Sequence, residues 1–248
     1  MSNKTILLTG GSSGIGHAMA VGLAAGGARV AIVSRRPPGQ WEEAAPDGWN
    51  PGTDWIRADL AEGVHAVQAM EQWLSTHGNR LDAVVASAVD YASPSRHPFE
   101  ETTLEEWDAL FNVNARGVFL AVRATLPHLL KRGRGLVAGV TSDVAFSPGP
   151  LRVGYAASKA AARALFEGLA AEMVGRGVNV VQLLPTRQVV TPGLRLRRPP
   201  FFDFAGYIPP SAFADPICRL VCDLGAGLNG RVVEVGRHVA AANDGDTP

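Results

Sequence analysis

The sequence predicts an α/β fold in which helices cover both faces of a doubly wound, parallel sheet of about seven strands. Short aliphatic and β-branched runs alternate with helix-favouring segments along the 248 residues. The strand candidates are apolar at nearly every position, as expected of strands that are buried on both faces. Right-handed crossovers join parallel strands in such an alternation. No linker interrupts it, so we expect one domain over 1–248.

Each predicted element is a short run with its own pattern. The strand candidates are 5–9 (TILLT), 29–34 (RVAIVS), part of 55–60 (WIRADL), 81–87 (LDAVVAS), 136–142 (LVAGVTS), 178–185 (VNVVQLLP) and 231–236 (RVVEVG). The helix candidates are 14–25, 64–77, a long stretch over 103–131, 155–174 and 211–224. The Pro- and Gly-rich segment 36–53 is expected to form an ordered loop or an insertion, since it carries Trp41 and Trp49. The tail 241–248 is expected to fray.

Composition excludes several classes of protein. Lysine plus arginine and aspartate plus glutamate both number 23, so no net charge attracts nucleic acid or an anionic membrane. The histidines lack metal-ligand spacing, and Cys218 and Cys222 form no CxxC pair, which predicts reduced packing residues. No apolar run is long enough to span a membrane or to act as a signal peptide. We therefore expect a cytoplasmic protein without a metal.

The first strand runs directly into TGGSSGIG, residues 9–16. The glycines follow the spacing GxxxGxG, which permits a tight turn and a close approach of backbone to a phosphate. The helix that begins there offers free N–H groups to a pyrophosphate. A plain turn between a strand and a helix would use the same glycines. The predicted cofactor contacts of this turn are Gly10, Ser12, Ser13, Gly14, Ile15 and Gly16.

The second strand ends at Ser34 and is followed by Arg35 and Arg36. An acidic residue here would hold the ribose hydroxyls of NAD, whereas guanidinium groups can pair with a 2′-phosphate. The sequence thus predicts NADP(H) as the preferred cofactor and leaves NAD(H) possible; solvated arginines are the alternative. At the end of the third strand, Asp59, followed by Leu60, could accept a hydrogen bond from the adenine amino group or cap the next helix.

The segment YAASK places Tyr155 and Lys159 four residues apart in an Ala-rich, helix-favouring stretch. Residues at this spacing lie on the same face of a helix. An isolated pair of this kind usually belongs to a solvated face. Its meaning therefore depends on the rest of the chain.

Taken together, the motifs resemble those of the short-chain dehydrogenase/reductase family, from TGGSSGIG to NGRVVEVG. The resemblance includes the glycine turn, NVNARGVF around Asn114, VTSDVAF around Ser142 and the YAASK segment. Ser142 precedes Tyr155 by thirteen residues, as in the family. The four motifs occur in the family's order on the expected elements, and this order makes the resemblance specific. It implies a Rossmann-type fold.

The resemblance implies a catalytic set of Asn114, Ser142, Tyr155 and Lys159. Tyr155 would protonate a carbonyl oxygen during reduction, so its pKa, ordinarily about 10, would have to fall toward neutrality. The Lys159 ammonium group and an oxidised nicotinamide would lower it, and Lys159 would also bind the nicotinamide ribose. Ser142 would hydrogen-bond the substrate oxygen. Asn114 would hold a water molecule that relays protons from Lys159 to solvent.

The chain departs from the family pattern after the fourth strand, where ASAV (86–89) replaces NNAG. Ser87 and Ala88 are still predicted to contact the cofactor. Val89 replaces a glycine and could crowd the cofactor. Ser13 stands where many NADP-dependent members have a basic residue, so the preference for NADP rests on Arg35 and Arg36.

A second departure follows the sixth strand, where Pro185 and Thr186 replace the family's PG and the segment up to Thr191 is one residue longer. Pro185 and Thr186 are predicted cofactor contacts. We assign the contact with the nicotinamide amide to Val189, with Val190 as the alternative.

Residues 192–210 are predicted to form a substrate lid. They contain Arg195, Arg197, Arg198, Phe201, Phe202, Phe204 and Tyr207. This composition suits an apolar or aromatic substrate, with or without an anionic group. Equally, the prolines could stiffen the loop, the aromatic residues pack it down and the arginines face water. If Phe201 and Phe202 line the pocket, truncating them should raise KM.

The sequence therefore predicts an NADPH-dependent enzyme that reduces the carbonyl group of a small-molecule ketone, or runs the reverse reaction. The altered ASAV and Pro185–Thr186 segments leave an alternative. In it the chain is a non-redox biosynthetic enzyme, such as a cyclase or dehydratase, or a cofactor-binding protein. A nucleic-acid regulator is disfavoured by the neutral charge balance. The resemblance also implies a homodimer or homotetramer, built through 103–131, 155–174 and the last strand.

Overall fold

The strands form a seven-stranded, wholly parallel sheet in the computed structural model, which describes residues 1–41, 54–92 and 96–236. The strands are β1 (Thr5–Thr9), β2 (Arg29–Ser34), β3 (Trp55–Arg57), β4 (Ala83–Ala86), β5 (Gly135–Val140), β6 (Val178–Pro185) and β7 (Val232–Val235). Their order across the sheet is β3-β2-β1-β4-β5-β6-β7. The predicted doubly wound α/β fold is thus confirmed.

Helices cover both faces of this sheet. They are α1 (Gly14–Ala25), α2 (Val64–Thr76), α3 (Leu104–Asn114), α4 (Arg116–Lys131), α5 (Val153–Glu172), the single turn α6 (Pro192–Arg195) and α7 (Ala214–Asp223). Alternate residues of a strand point to opposite faces, so Leu7 belongs to the hydrophobic cluster beneath α2, α4 and α5, and Leu8 to the cluster beneath α1 and α7. This placement explains why the strands are apolar at nearly every position.

The long helical stretch predicted over 103–131 is in fact two helices. A capping box begins the first helix: Thr103 Oγ1 accepts from the Glu106 N–H at 3.2 Å, and Glu106 Oε2 accepts from the Thr103 N–H at 3.3 Å. The chain bends at Ala115 (φ −108°, ψ −61°) before α4 starts. Gly117, a poor helix former, lies just beyond this bend and packs closely against Leu60. Helix-favouring residues on both sides of the break made the stretch read as one helix.

Several other predicted boundaries move by a few residues. The strand within 55–60 ends at Arg57, β5 ends at Val140 instead of 142, and α5 begins at Val153 instead of 155. The segment predicted as a helix over 211–224 starts with a 3₁₀ turn, Pro210–Phe213. Within 36–53, residues 38–40 form another 3₁₀ turn, and Trp49 lies outside the described residues, as does the tail 241–248.

The sheet topology marks one edge as the place for a ligand. The chain runs outward from β1 through β2 to β3 and then returns to β4 on the other side of β1. Ligands of doubly wound sheets bind beyond the carboxyl ends of the strands where the order reverses. In the described ranges, no helix is long and apolar enough to cross a membrane. In the same ranges, no cluster of histidine, cysteine and carboxylate side chains could hold a metal ion.

Candidate active site

A cavity of about 910 Å³ lies at this carboxyl edge of the sheet. It brings together residues that are far apart in the chain. The predicted cofactor contacts on its wall are Gly10, Ser12, Ser13, Gly14, Ile15, Gly16, Ser34, Arg35, Arg36, Asp59, Leu60, Ser87, Ala88, Pro185, Thr186 and Val189. Ser142, Tyr155 and Lys159 line the same cavity, whereas Asn114 does not.

The glycine turn is closely packed against the β4 end of the sheet. Gly10 adopts φ +76°, and a Cβ atom there would lie 2.5 Å from Ala88 Cα. A Cβ atom on Gly16 would overlap the carbonyl oxygen of Gly10. Only glycine leaves room for the turn at these two positions. The turn therefore presents bare backbone to the cavity.

The start of α1 suits an anion. Ser13, the N-cap residue, makes no side-chain capping bond, and the first turn contains no acidic residue. The first N–H groups of a helix lack partners within the helix, and they carry the positive end of the helix dipole. A pyrophosphate group fits these donors, so the residues present are suited to a dinucleotide.

Arg35 and Arg36 lie on the cavity wall just beyond β2. Ser34 fixes this segment, since its Oγ donates to the Arg36 carbonyl oxygen at 2.9 Å and accepts from Trp55 Nε1 at 3.1 Å. Arg35 Nη1 lies 3.9 Å from Asp59 Oδ2. The Arg35 side chain is 68% exposed, so it can turn toward a phosphate bound at this end of the cavity.

Asp59 acts as a cap in this structure. Its Oδ1 accepts from the Ala61 N–H at 2.9 Å and begins the 3₁₀ turn Leu60–Glu62. The capping interpretation is thereby confirmed. Contact of Asp59 with an adenine amino group stays a prediction. The carboxylate also places a negative charge beside Arg35, where it would compete with a phosphate.

Tyr155 and Lys159 lie in the first two turns of α5, and Ser142 lies between β5 and a 3₁₀ turn, Asp143–Ala145. The Ser142 side chain acts on the Tyr155 phenol and lowers its pKa. Ser142 Oγ also donates to Asp143 Oδ1 at 2.8 Å. Lys159 Nζ, which is buried, donates to the Val140 carbonyl oxygen at 3.3 Å. The end of β5 thus positions Ser142 and Lys159.

The electrostatics of Tyr155 differ from the expectation. Burial, followed by Tyr91, raises the pKa of the phenol well above 10, while Ser142 and Arg152 lower it by less. The expected fall toward neutrality is therefore not present in the protein alone, because desolvation of the phenolate outweighs the nearby donors. Tyr155 is a neutral phenol that can donate a proton.

Burial also acts on Lys159. Desolvation of the ammonium group lowers the pKa of Lys159 from 10.5 to about 8. The ammonium form still predominates at pH 7, but it is only about one pH unit from losing its proton. The amine is therefore poised to exchange protons near neutral pH.

Asn114 holds the backbone beside the site. Its Oδ1 accepts from the Asp90 N–H at 2.8 Å, and its Nδ2 donates to the Asp90 carbonyl oxygen at 2.9 Å. The same Nδ2 group donates to Ser158 Oγ at 3.1 Å. Asn114 therefore ties the segment after β4 to α5. Its predicted part in a water relay remains a prediction.

The ASAV segment retains ties to β1 through backbone groups. Thr9 Oγ1 accepts from the Ser87 N–H at 3.3 Å and from the Ala88 N–H at 3.4 Å. These bonds join neighbouring strands where the family's asparagine is missing. Val89 is 40% exposed and lies on the cavity wall, so its branched side chain narrows the cavity where the family has a glycine.

After β6, one of the two candidate valines faces the cavity, and its contact with a nicotinamide amide stays a prediction. Val189 lines the cavity, whereas Val190 does not, even though the sequence allowed either. Val189 forms an isolated parallel bridge with Ile208, and the Val190 N–H donates to the Ile208 carbonyl oxygen at 2.9 Å. This bridge joins the two ends of the predicted lid.

The predicted lid contributes arginines, not phenylalanines, to the cavity. Phe201 is 98% exposed, and Phe202 packs against Phe204 and Tyr207 at centroid distances of 5.0 and 5.9 Å. Neither Phe201 nor Phe202 lines the cavity, so the expectation that they form its wall is wrong. Arg197 and Arg198 do line it. The aromatic residues pack the loop down instead.

Some cavity residues were missed from the sequence. The ring of Tyr91 stacks on that of Tyr155 with a centroid distance of 5.2 Å. Arg152 and Arg96 also line the cavity. Arg152 could have been found, because it precedes Tyr155 by three residues and shares its helix face. Tyr91 and Arg96 lie outside the helices and strands, where the sequence carries no periodic signal.

Comparison with known proteins gives a consistent result. The profile described as short chain dehydrogenase matches residues 4–195. D-threitol dehydrogenase of Mycolicibacterium smegmatis is 34% identical over 187 residues, which cover 75% of this chain and 70% of that protein.

Solved structures agree over almost the whole chain. A short chain dehydrogenase from Burkholderia cenocepacia J2315 in complex with NADP has a TM-score of 0.78, with 28% identity over 94% of this chain and 96% of that one. A 3-ketoacyl-(acyl-carrier-protein) reductase from Brucella melitensis, complexed with NADH, has a TM-score of 0.77, with 26% identity and the same coverage. The sheet order, the glycine turn and these matches together establish that the chain belongs to the short chain dehydrogenase family of oxidoreductases.

Proposed function

We propose that the protein is an NADPH-dependent oxidoreductase that reduces the carbonyl group of a small-molecule ketone to an alcohol, or catalyses the reverse reaction. The observation that carries this proposal is that Ser142, Tyr155 and Lys159 line the same cavity as the glycine turn. A dinucleotide bound at the turn and a carbonyl group at Tyr155 would share one space. Relatives with dehydrogenase and reductase names support the same chemistry.

The chain's own groups have distinct tasks in this proposal. NADPH, when bound, supplies a hydride to the carbonyl carbon. The phenol of Tyr155, neutral because burial raises its pKa, donates its proton to the carbonyl oxygen. Ser142 donates a hydrogen bond to the same oxygen and stabilises the charge that develops there. Lys159, one helical turn from Tyr155, supplies a positive charge that stabilises the phenolate and can return a proton.

The direction of the reaction follows from this electrostatic setting. A phenol with a raised pKa is fully protonated at neutral pH, so the proton-donating form is present and the phenolate that would act as a base is scarce. Reduction therefore needs no prior ionisation of Tyr155. Alcohol oxidation needs the phenolate, which the positive charge of an oxidised nicotinamide would favour. We infer that reduction is the faster direction at pH 7.

The cofactor preference rests on Arg35 and Arg36. Relatives with bound NADP and with bound NADH have both been solved, so the family alone does not decide between them. Guanidinium groups at the end of β2 suit a 2′-phosphate, and no acidic residue occupies 34–37. We propose NADP(H) as the preferred cofactor.

Fluorescence titration of the protein with NADPH and with NADH tests the cofactor assignment. We expect clearly tighter binding of NADPH. Loss of NADPH absorbance in the presence of a panel of ketones then tests the reaction. If neither nucleotide binds, the non-redox alternative becomes the better one, since ASAV and the altered Pro185–Thr186 segment would then have disabled the site.

We also propose that the chain forms a homodimer or homotetramer through α3, α4, α5 and β7. Apolar side chains on these helices remain exposed, and Leu104 and Phe119 are 79% and 50% accessible. Burial of such side chains favours association. Light scattering coupled to size-exclusion chromatography measures the oligomeric state, and a monomer at micromolar concentration would contradict the proposal.

A further inference from the structure

The substrate end of the cavity carries a group of arginines that the proposed chemistry does not use. They line the cavity together with Ser142 and Tyr155. Three separate segments supply them: the loop after β4, the N-cap of α5 and the turn after α6. We call these residues the arginine cluster, which consists of Arg96, Arg152, Arg197 and Arg198.

Arg96 is close enough to Arg152 and Arg198 for the positive charges to repel one another. Burial and the positive charges of Arg152 and Arg198 lower the pKa of Arg96. The Nε atoms of Arg152 and Arg198 are buried and have no hydrogen-bond partner anywhere in the described ranges. Buried donors without partners are costly. The cluster thus offers positive charge to the cavity, and two of its guanidinium groups keep an N–H donor without a partner.

Carboxylates on the cavity wall do not neutralise this charge. Asp90 Oδ1 accepts from the Ala92 N–H at 2.7 Å, and Glu106 Oε2 lies 3.1 Å from His97 Nε2. Asp143 accepts from Ser142 and raises the pKa of Arg96 by less than Arg152 and Arg198 lower it. Within the part of the chain that the structure describes, no carboxylate lies within 4.0 Å of a guanidinium nitrogen of the cluster.

Aromatic contacts hold two of these guanidinium groups in place. Arg197 Cζ lies 3.9 Å from the ring centroid of Tyr91, and Arg198 Cζ lies 4.9 Å from that of Phe202. A guanidinium group that packs on a ring still has N–H donors at its edge. Arg152 stands at the N-cap of α5, where the helix dipole disfavours a cation. An anion beside Arg152 would relieve both the dipole and the mutual repulsion.

We propose that the arginine cluster binds an anionic group of the substrate, a carboxylate or a phosphate, while the carbonyl group of the same molecule lies at Tyr155. This inference rests on the proposed reduction at that site. Guanidinium groups bind both kinds of anion through paired, charge-assisted hydrogen bonds. The substrate class is therefore an oxo acid or a phosphorylated ketone. A neutral aromatic ketone is disfavoured, because the lid's phenylalanines lie outside the cavity wall.

Matched pairs of charged and neutral ketones test the proposal. Calorimetric binding to the full chain would compare 4-oxopentanoate and 5-oxohexanoate with their methyl esters, and dihydroxyacetone phosphate with dihydroxyacetone, all at one ionic strength. We expect at least one charged probe to bind tenfold more tightly than its neutral partner. The two sets of probes distinguish a carboxylate from a phosphate. Equal binding within every pair, or no binding of any charged probe, would overturn the proposal.

Variants localise the effect. Arg152→Gln and Arg198→Gln should each reduce the preference for the charged probe about tenfold. Arg195→Gln is the matched control, because Arg195 lies in the same lid, packs 5.0 Å from the Phe204 centroid and does not line the cavity. An unchanged preference in both cluster variants would overturn the assignment. If a variant does not fold, the comparison of charged and neutral probes in the wild-type chain still decides.

Turnover separates this inference from the proposed function. If esters and acids are reduced with equal kcat/KM, the proposed reductase activity stands and the proposed anion site is wrong. If a charged probe binds in an arginine-dependent way but NADPH is never oxidised, the anion site stands and the proposed reductase activity is wrong. The two proposals can therefore fail independently.

Discussion

The ring of Tyr91 stacks on the ring of Tyr155, with centroids 5.2 Å apart and planes inclined by 24°. Burial, first, and then two effects of the neighbouring Tyr91 side chain raise the pKa of Tyr155. Arg197 of the lid packs on Tyr91. Tyr91 thus connects the lid to the proposed proton donor, and its hydroxyl group helps to keep that donor neutral.

Tyr91→Phe should retain the stacked ring and remove the hydroxyl group. Two contributions that raise the pKa of Tyr155 then disappear, so the phenolate forms at lower pH. In alcohol oxidation, kcat/KM rises as Tyr155 loses its proton, and we expect this rise to move to lower pH in the variant. A pH profile of oxidation measures the change. An unmoved profile with a lowered kcat would mean that Tyr91 only supports the packing.

Tyr155→Phe should lower kcat by roughly 10²–10⁴-fold, the usual contribution of a general acid. The ring is retained, so the dissociation constant of NADPH should change little. Steady-state kinetics and a fluorescence titration measure the two quantities. Tyr207→Phe is the control, because Tyr207 packs in the lid against Phe202 and Phe204 and does not line the cavity. Near-normal turnover of Tyr155→Phe would exclude the assignment.

Replacing Arg35 and Arg36 together by alanine should weaken NADPH binding by about 10- to 100-fold, the loss of one or two charge-assisted contacts to a phosphate. NADH lacks the 2′-phosphate, so its affinity should stay the same. Arg57→Ala is the matched control, since Arg57 is exposed at the end of β3 and does not line the cavity. An equal loss of affinity for both nucleotides would show that the two arginines do not contact the 2′-phosphate.

The sequence predicted the elements whose signal is local. The apolar strands, the glycine turn and the pair Tyr155–Lys159 depend on periodicity and spacing, and the structure places them as expected. The break at Ala115 was not predicted, because helix-favouring residues continue on both sides of it. Whether Phe201 and Phe202 line the cavity depends on how the segment 192–210 folds, and composition alone does not determine that.

The pKa shifts of the site residues also could not be predicted from the sequence. Spacing correctly placed Lys159 on the same helix face as Tyr155, but a sequence does not report how deeply either group is buried. Desolvation reverses the expected direction in which the pKa of Tyr155 moves. The arginine cluster is assembled from three loops and termini, so its members are distant in the chain and no motif joins them.

Burial of Lys159 should make stability depend on pH in a defined window. The pKa of Lys159 is about 8 in the folded protein against 10.5 when exposed. Between these values the unfolded chain binds a proton that the folded chain has released, so the free energy of unfolding rises as pH increases from about 8 to about 10.5. Below pH 8 the cost of burying the ammonium group is fully present. A difference of one between the folded and unfolded pKa values corresponds to about 1.4 kcal/mol.

Lys159→Met removes this titration while retaining a side chain of similar length. We expect the variant to be more stable than the wild type at pH 7, by up to about 3 kcal/mol, and this advantage to shrink toward pH 10. Urea denaturation of both proteins at pH 7 and pH 10 measures the difference between their free energies of unfolding. Other titrating groups are the same in both proteins, so their contributions cancel. Lys131→Met, at an exposed lysine that ends α4, should show no such change. A Lys159→Met advantage that is the same at both pH values would mean that the amine is solvated, and Lys159 would then not be poised to exchange protons near neutral pH.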